Sequence, residues 1–189
     1  LNGFIVSDSI IVYSNDASKE ALRELFQMID RLCKTQFREN EILIRGAVEK
    51  GDFDRLKTKK YGALGKGLIV GQAYINAYLL EGSIHALGIV LTKNVYDDYV
   101  QSGLREREIL RDEIDGEDRY IYRLMNEAYL ADNQNLETFI RLACDSGWLP
   151  HYYNTISYAL NNERSEKKVT HLFEKIIRII HEIESEEKQ

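Results

Sequence analysis

Proline occurs once in the 189 residues, tryptophan once and cysteine twice. The two cysteines, Cys33 and Cys144, exclude a disulfide-rich scaffold, and with no CxxC motif a zinc site is not expected. Both sit beside apolar helical stripes and are expected as buried thiols. No apolar run approaches 18 residues, so no membrane span is expected. No charged n-region with a cleavage site opens the chain, so a signal peptide is not expected either, and the expected compartment is cytoplasmic. Positive charge is in deficit, with 25 Lys and Arg against 31 Asp and Glu and a formal charge of -6. That excludes a broad basic face and with it non-specific nucleic-acid binding. What is present, 44% hydrophobic and 30% charged residues, is ordinary globular composition. The length fits one domain with a small appendage, burying roughly 70% of the unfolded surface. The chain opens on Leu1 and runs straight into a strand-like segment, as a fragment would.

Residues 1–14 are β-branched and aromatic with a polar break at Ser7-Asp8-Ser9, which predicts two strands and a tight hairpin with Asp8 at its tip. Asn15-Asp16 then cap a predicted helix over 17–36, striped by Leu22, Leu25, Phe26, Ile29, Leu32 and Cys33. A strand is predicted over 41–50, where Gly46 signals close backbone approach. A polar loop follows over 52–67. Its Gly62, Gly65 and Gly67 lack phosphate-cradle spacing, and its Lys60 and Lys66 read as solvated loop cations. Residues 71–82 read as a helix capped by Gly82, 84–91 as a strand, 92–102 as helix-like, and 107–124 as a hairpin turning near Asp115-Gly116. Asp112, Asp115 and Asp118 lack the later ligands of a calcium loop, so a turn is the better reading. Helices are predicted over 134–144, 152–161 and 166–187, with Trp148-Leu149-Pro150 breaking the run. The whole predicts an α+β fold: an α/β domain over 1–125 and a helical extension over 126–189. The extension, with Tyr152, Tyr153 and Tyr158, would pack on the domain or form a dimer interface. The hairpin and the strands at 42–50 and 84–91 are expected in one antiparallel-rich sheet, with the helices at 17–36 and 71–82 on one face.

Three ordered segments carry a resemblance: FIVSDSIIVYS at 4–14, LIRGAVEKGDF at 43–53 and VGQAYINAYLLEG at 70–82. Together they resemble the class III nucleotidyl cyclase domain over roughly residues 1–100, and most of all the bacterial pyrimidine cyclases of Pycsar anti-phage defence. The resemblance implies a ferredoxin-like sheet, a head-to-tail homodimer with the site between subunits, and a pyrimidine nucleoside triphosphate, UTP or CTP, cyclised to a 3′,5′-cyclic monophosphate with loss of pyrophosphate. It also implies two Mg²⁺ or Mn²⁺ ions held by two aspartates. Asp8 matches the hairpin aspartate, and the other would lie on a strand upstream of Leu1. Divalent ions suit such chemistry because they activate the attacking oxygen and neutralise phosphate charge.

Phe4 falls where related adenylyl cyclases read the base with lysine, so it is a candidate to pack on a base, with a buried core residue the better reading. Arg45, a cation in an apolar strand beside Gly46, is a candidate phosphate or base-carbonyl contact. Its plain structural role would be pairing with Glu41 or Glu49. The helix departs from the family pattern: aligned on Gly71, Ala77, Leu80 and Glu81 it has Ile75 at the usual asparagine and Leu79 at the transition-state arginine, and shifted by one it keeps Asn76 as the asparagine but puts Leu80 at the arginine and loses the Ala and Glu matches. The alternative is therefore a catalytically inactive cyclase-like domain acting as a dimerisation or partner-binding module. The four histidines, His85, His151, His171 and His181, show no ligand spacing, and no nucleophile–histidine set stands out.

Overall fold

The computed structural model describes residues 1–6, 8–56, 68–114, 116–161 and 166–186. The strands are β1 (Asn2–Val6), β2 (Ser9–Tyr13), β3 (Gly46–Val48), β4 (Asp54–Leu56), β5 (Leu68–Val70), β6 (Ile89–Leu91), β7 (Ile109–Ile114) and β8 (Glu117–Tyr122). The helices are α1 (Lys19–Asn40), α2 (Gln72–Glu81), α3 (Lys93–Gln101), α4 (Glu127–Leu130), α5 (Asn133–Asp145), α6 (Pro150–Leu160) and α7 (Glu166–Glu186), with a 3-10 turn at Glu106–Glu108. The fold is α+β.

Four strands form one sheet in the order β3-β6-β8-β7. β3 runs parallel to β6, with Gly46 opposite Ile89, while β6–β8 and β7–β8 are antiparallel. Alternation sorts the side chains onto two faces. Val48, Ile89, Leu91, Ile109, Tyr120 and Tyr122 point one way, into a core shared with Phe26 and Cys33 of α1 and Val95 and Tyr99 of α3. Phe26 meets Tyr99 and Tyr122 edge-on, with ring centroids 4.7 and 5.2 Å apart. Val90, Leu110 and Ile121 point the other way, against Ile84, Leu80 of α2 and Tyr158 of α6. A third core joins α4, α5, α6 and α7 around Met125 and Phe37, the latter from the last turn of α1. Burial pushes the Cys33 thiol up to about 12, so it is an inert core group; Cys144 is partly buried.

Two expectations are corrected. The β1–β2 hairpin is not part of the main sheet; it is a separate two-stranded unit, as is β4–β5. One contact with the rest is made by Tyr13, whose ring lies 4.7 Å from that of Phe53. The two early helices do not share a face: α1 covers one side of the sheet and α2 the other. The reason is legible in α2, where Ala73, Tyr74, Ile75, Ala77, Tyr78, Leu79 and Leu80 make it apolar all round and periodicity assigns it no face.

The strand expected over 84–91 is also shorter. Ile84 and Ala86 are fully buried, yet pairing in β6 begins at Ile89. Upstream, backbone groups find other partners. The Leu87 N–H donates to Thr155 Oγ1 at 2.8 Å, and the His85 carbonyl accepts from Asn154 Nδ2 at 2.7 Å. Side chains of α6 thus replace a strand ladder.

Local caps explain the helix limits. Ser18, not Asn15 or Asp16, is the N-cap of α1, and its side chain accepts from the Ala21 N–H. Asp16 instead accepts from the Ser18 N–H at 2.8 Å, and these Ser18 hydrogen bonds hold its carboxyl below the usual range. Pro150 opens α6 at a position that needs no donor, so it starts that helix rather than ending α5. Arg123 is buried and ties the hairpin end to both neighbours, donating to the carbonyls of Tyr158, at 3.2 Å, and Arg107.

Gly71 sits at φ 137°, where a Cβ would lie 2.1 Å from the Asp52 carbonyl oxygen. That oxygen also accepts from the Ala73 N–H at the start of α2, so the neighbour cannot move away without undoing the cap. Gly71→Ala is expected to destabilise the protein by about 2–4 kcal/mol through backbone strain and overpacking. Thermal unfolding should show a midpoint lower by roughly 5–15 °C; an unchanged midpoint would mean the 52–71 contact is not held in solution.

Candidate functional site

The hairpin presents Asp8 at its turn, exposed, with Ser9 Oγ donating to its Oδ1 at a long 3.5 Å. Nothing in the strands around it screens it from solvent: Ile5 is 74% exposed, and Val6 and Ile10 are also exposed. Among the described residues no three His, Cys, Asp or Glu side chains converge into a metal-holding group. Asp8 belongs to no such group among the described residues, and a single carboxylate does not fill a two-ion centre. Phe4 is half-buried on β1, in edge contact with Tyr13 at 6.3 Å. Lys60, Lys66 and the three glycines of the 52–67 loop lie outside the described residues, as does Asp115. Asp112 accepts from the Tyr158 hydroxyl at 2.8 Å, and Asp118 pairs with Arg111 at 2.6 Å, so each has a partner within the protein.

Arg45 lies one residue before β3 and is not paired with Glu41 or Glu49. Its Nε is 2.5 Å from Glu81 Oε1, at the last turn of α2, and its Nη1 is 3.0 Å from His151 Nε2 on α6. Glu49 instead accepts from Thr92 Oγ1 at 3.0 Å. His85 completes the group, its ring centroid 5.7 Å from that of His151. Four segments of the chain thus meet in one partly exposed polar cluster of Arg45, Glu81, His85 and His151.

The chemistry of this cluster is fixed by the guanidinium. Arginine has donors only, so His151 Nε2 must be the acceptor and the imidazole proton sits on Nδ1. His151 is also the second residue of α6, where the helix dipole opposes a positive charge. Its pKa is lowered from 6.5, first by burial, then by Arg45 and His85, with Glu81 opposing. A neutral His151 therefore joins β3 and α2 to α6. Sequence spacing could not reveal this, since 45, 81, 85 and 151 share no motif and meet only through the topology. The exposed row Ile75, Tyr78 and Leu79 on α2 was missed for a related reason, being indistinguishable in sequence from the buried side of the same helix.

A depressed folded-state pKa means the unfolded chain binds the extra proton first, so this contribution is full above pH 6.5 and is lost as pH falls through the folded value. In His151→Gln the amide oxygen accepts from Arg45 but does not titrate. Urea unfolding at pH 8 and pH 5 should show a smaller acid loss in the variant than in the parent. Equal losses would mean that His151 already carries its proton in the folded state.

No family model matches the chain, and no curated protein and no solved structure matches it.

Proposed function

We propose that the chain is a class III nucleotidyl cyclase-like domain that takes a pyrimidine nucleoside triphosphate at the β1–β2 turn, with conversion to the 3′,5′-cyclic monophosphate and pyrophosphate within a homodimer in anti-phage signalling. The observation that carries this reading is the exposed position of Asp8 at the hairpin turn, followed in order by α1, the Gly46 strand and the Gly71-capped helix. In it Asp8 meets the divalent ion that accompanies the triphosphate, Mg²⁺ or Mn²⁺. Arg45 exchanges Glu81 for a phosphate or base oxygen, and Phe4 offers its ring to the base.

The second reading, a non-catalytic module that dimerises or binds a partner, is favoured by different observations. Arg45 is already engaged by Glu81 and His151. A leucine, Leu79 or Leu80, stands at the position of the family arginine and cannot stabilise charge on phosphorus. The hairpin and α2 both offer exposed apolar side chains. With one carboxylate in hand and no such arginine, turnover by this chain is expected to be slow or absent.

Thermal unfolding with Mn²⁺ and each of UTP, CTP, ATP and GTP tests the first reading. A pyrimidine triphosphate at 100-fold excess over its dissociation constant should stabilise by about 2.7 kcal/mol. Asp8→Ala should abolish that rise and leave the unliganded midpoint unchanged, since an exposed turn carboxylate packs against little. An equal rise in both proteins removes Asp8 from the site. No rise with any of the four leaves the module reading. Ready formation of cyclic monophosphate by the chain would show that the metal site lies elsewhere.

A further inference from the structure

The cluster at Arg45 stands on a frame that does not depend on its charges. Asn154 of α6 donates to the His85 carbonyl at 2.7 Å, and the Thr155 hydroxyl joins the Leu87 N–H, at 2.8 Å, to the His151 carbonyl, at 2.6 Å. Beside these bonds, Ala47 of β3, Leu80 of α2 and Tyr158 of α6 pack around Ile84 and Val90. No group in this frame titrates between pH 5 and pH 8. It fixes the backbone at all four members of the cluster and leaves only their side chains free to change partners.

Arg45 is the shared member. Its Nε faces Glu81 Oε1 at 2.5 Å and its Nη1 donates to His151 Nε2 at 3.0 Å, while Glu81 and His151 make no ion pair with each other. The charged and titratable groups acting on His151 are Arg45 from the segment before β3, Glu81 from α2 and His85 from the loop after it. Its own helix adds none, since residues 146–157 contain no Asp, Glu, Lys or Arg; the nearest charge along the chain is Asp145, at the end of α5.

One proton on His151 undoes this arrangement. A histidinium has two donors and no acceptor, and a guanidinium has donors only, so the 3.0 Å contact would set two cations donor to donor before one carboxylate. Their environments decide which keeps it. The Arg45 side chain is 38% exposed on a long stem and regains water by turning outward. His151 is short, half-buried and held by its carbonyl, so its charge needs a partner where it stands.

We propose that a single proton passes Glu81 from Arg45 to His151: with His151 neutral, Glu81 and His151 together hold Arg45, and with His151 protonated, Glu81 pairs with His151 and the Arg45 guanidinium turns out to water, free for an anionic oxygen. The proton comes from solvent and adds at Nε2, the nitrogen that Arg45 gives up, while Nδ1 keeps its own. His85, with its ring centroid 5.7 Å from that of His151, limits the switch to one proton, because a second imidazolium would meet like charge. Burial and Arg45 hold the folded pKa below 6.5, so Arg45 is held at neutral pH and released in acid. The exchange regulates the arginine that the nucleotide reading assigns to a phosphate or base oxygen, and it rests on that reading only there. As a change of partners within the chain it needs no ligand.

NMR of the full chain from pH 8 down to pH 5, without nucleotide, reads the His151 imidazole and the Arg45 Nε–H. The Arg45 signal should be that of a held guanidinium at pH 8 and should move to the position of a solvated arginine along the His151 titration curve. In His151→Gln the amide oxygen accepts at every pH, so the Arg45 signal should stay in place down to pH 5. Glu81→Gln should lower the His151 pKa further, and Arg45→Gln should raise it. Circular dichroism at pH 5 should match that at pH 8. An Arg45 signal that stays in place while His151 titrates overturns the proposal, for Glu81 then holds both cations at once. So does release of Arg45 in His151→Gln on the parent curve, a His151 pKa unmoved by Glu81→Gln, or a His151 that stays neutral down to pH 5. Absence of nucleotide binding alters none of these readings, and their failure leaves Asp8 and the nucleotide untouched, so the two proposals fail separately.

Discussion

β6 is only three residues long, and Ile89, Val90 and Leu91 are all buried. A strand buried on both faces must have something to cover each, and that requirement organises the rest. β3 and β8 supply its hydrogen-bonding neighbours, one parallel and one antiparallel. α1 and α3 cover Ile89 and Leu91; Ile84, α2 and α6 cover Val90. Each of those side chains is worth roughly 1.5–3 kcal/mol when fully buried, an amount comparable with a large share of a domain's net stability. Polar contacts then settle where the covering helices dock. The Thr155 hydroxyl accepts from Leu87 N–H and donates to the His151 carbonyl at 2.6 Å, pinning α6 to the segment that leads into β6.

Most of the elements were legible because their periodicities are strong. The α1 stripe from Leu22 to Cys33 and the inner stripe of α7 each bury one side, which is the signal that sequence carries well, and the β7–β8 hairpin was legible from its turn residues. The failures share a physical origin. An all-apolar segment such as α2 announces burial without direction, so its face had to wait for its neighbours. Residues 84–88 read as strand because they are apolar, but the Leu87 N–H and the His85 carbonyl are satisfied by α6 side chains more than 60 residues away. The exposed hairpin reads as part of the main sheet from its apolar periodicity, but its pairing depends on partners that local pattern does not specify.

The candidate site divides in the same way. Asp8 at a turn was readable, since Ser-Asp-Ser between two β-branched runs is turn chemistry. The partners of Arg45 were not. Arg45 was expected inside a strand but lies one residue before β3, and Glu81, His85 and His151 come from α2, the loop after it and α6. The packing that covers Val90 also brings them together, so the polar cluster follows from the β6 constraint. It forms where helix ends from both halves of the chain converge at the edge of the sheet, and its neutral histidine is the acceptor that lets an arginine bridge two helices without stacking positive charges.

The two exposed apolar regions differ in what lies beneath them. The hairpin is a two-stranded unit outside the main sheet, and such units are marginal without further packing. Exposing Ile5, Val6 and Ile10 on it adds cost with no core to offset it, so the hairpin is the part of the described structure whose order a bound ligand or partner changes most. The outer face of α7 is the reverse case. Its backbone is already fixed by a ridge of four buried residues against α5, and Arg141 links α5 to Glu186 at its end with a 2.9 Å contact. A partner docking there orders nothing but side chains, so even a small apolar stripe can yield net affinity. Binding at the hairpin would be coupled to local folding, whereas binding on the outer face of α7 would meet a backbone already fixed.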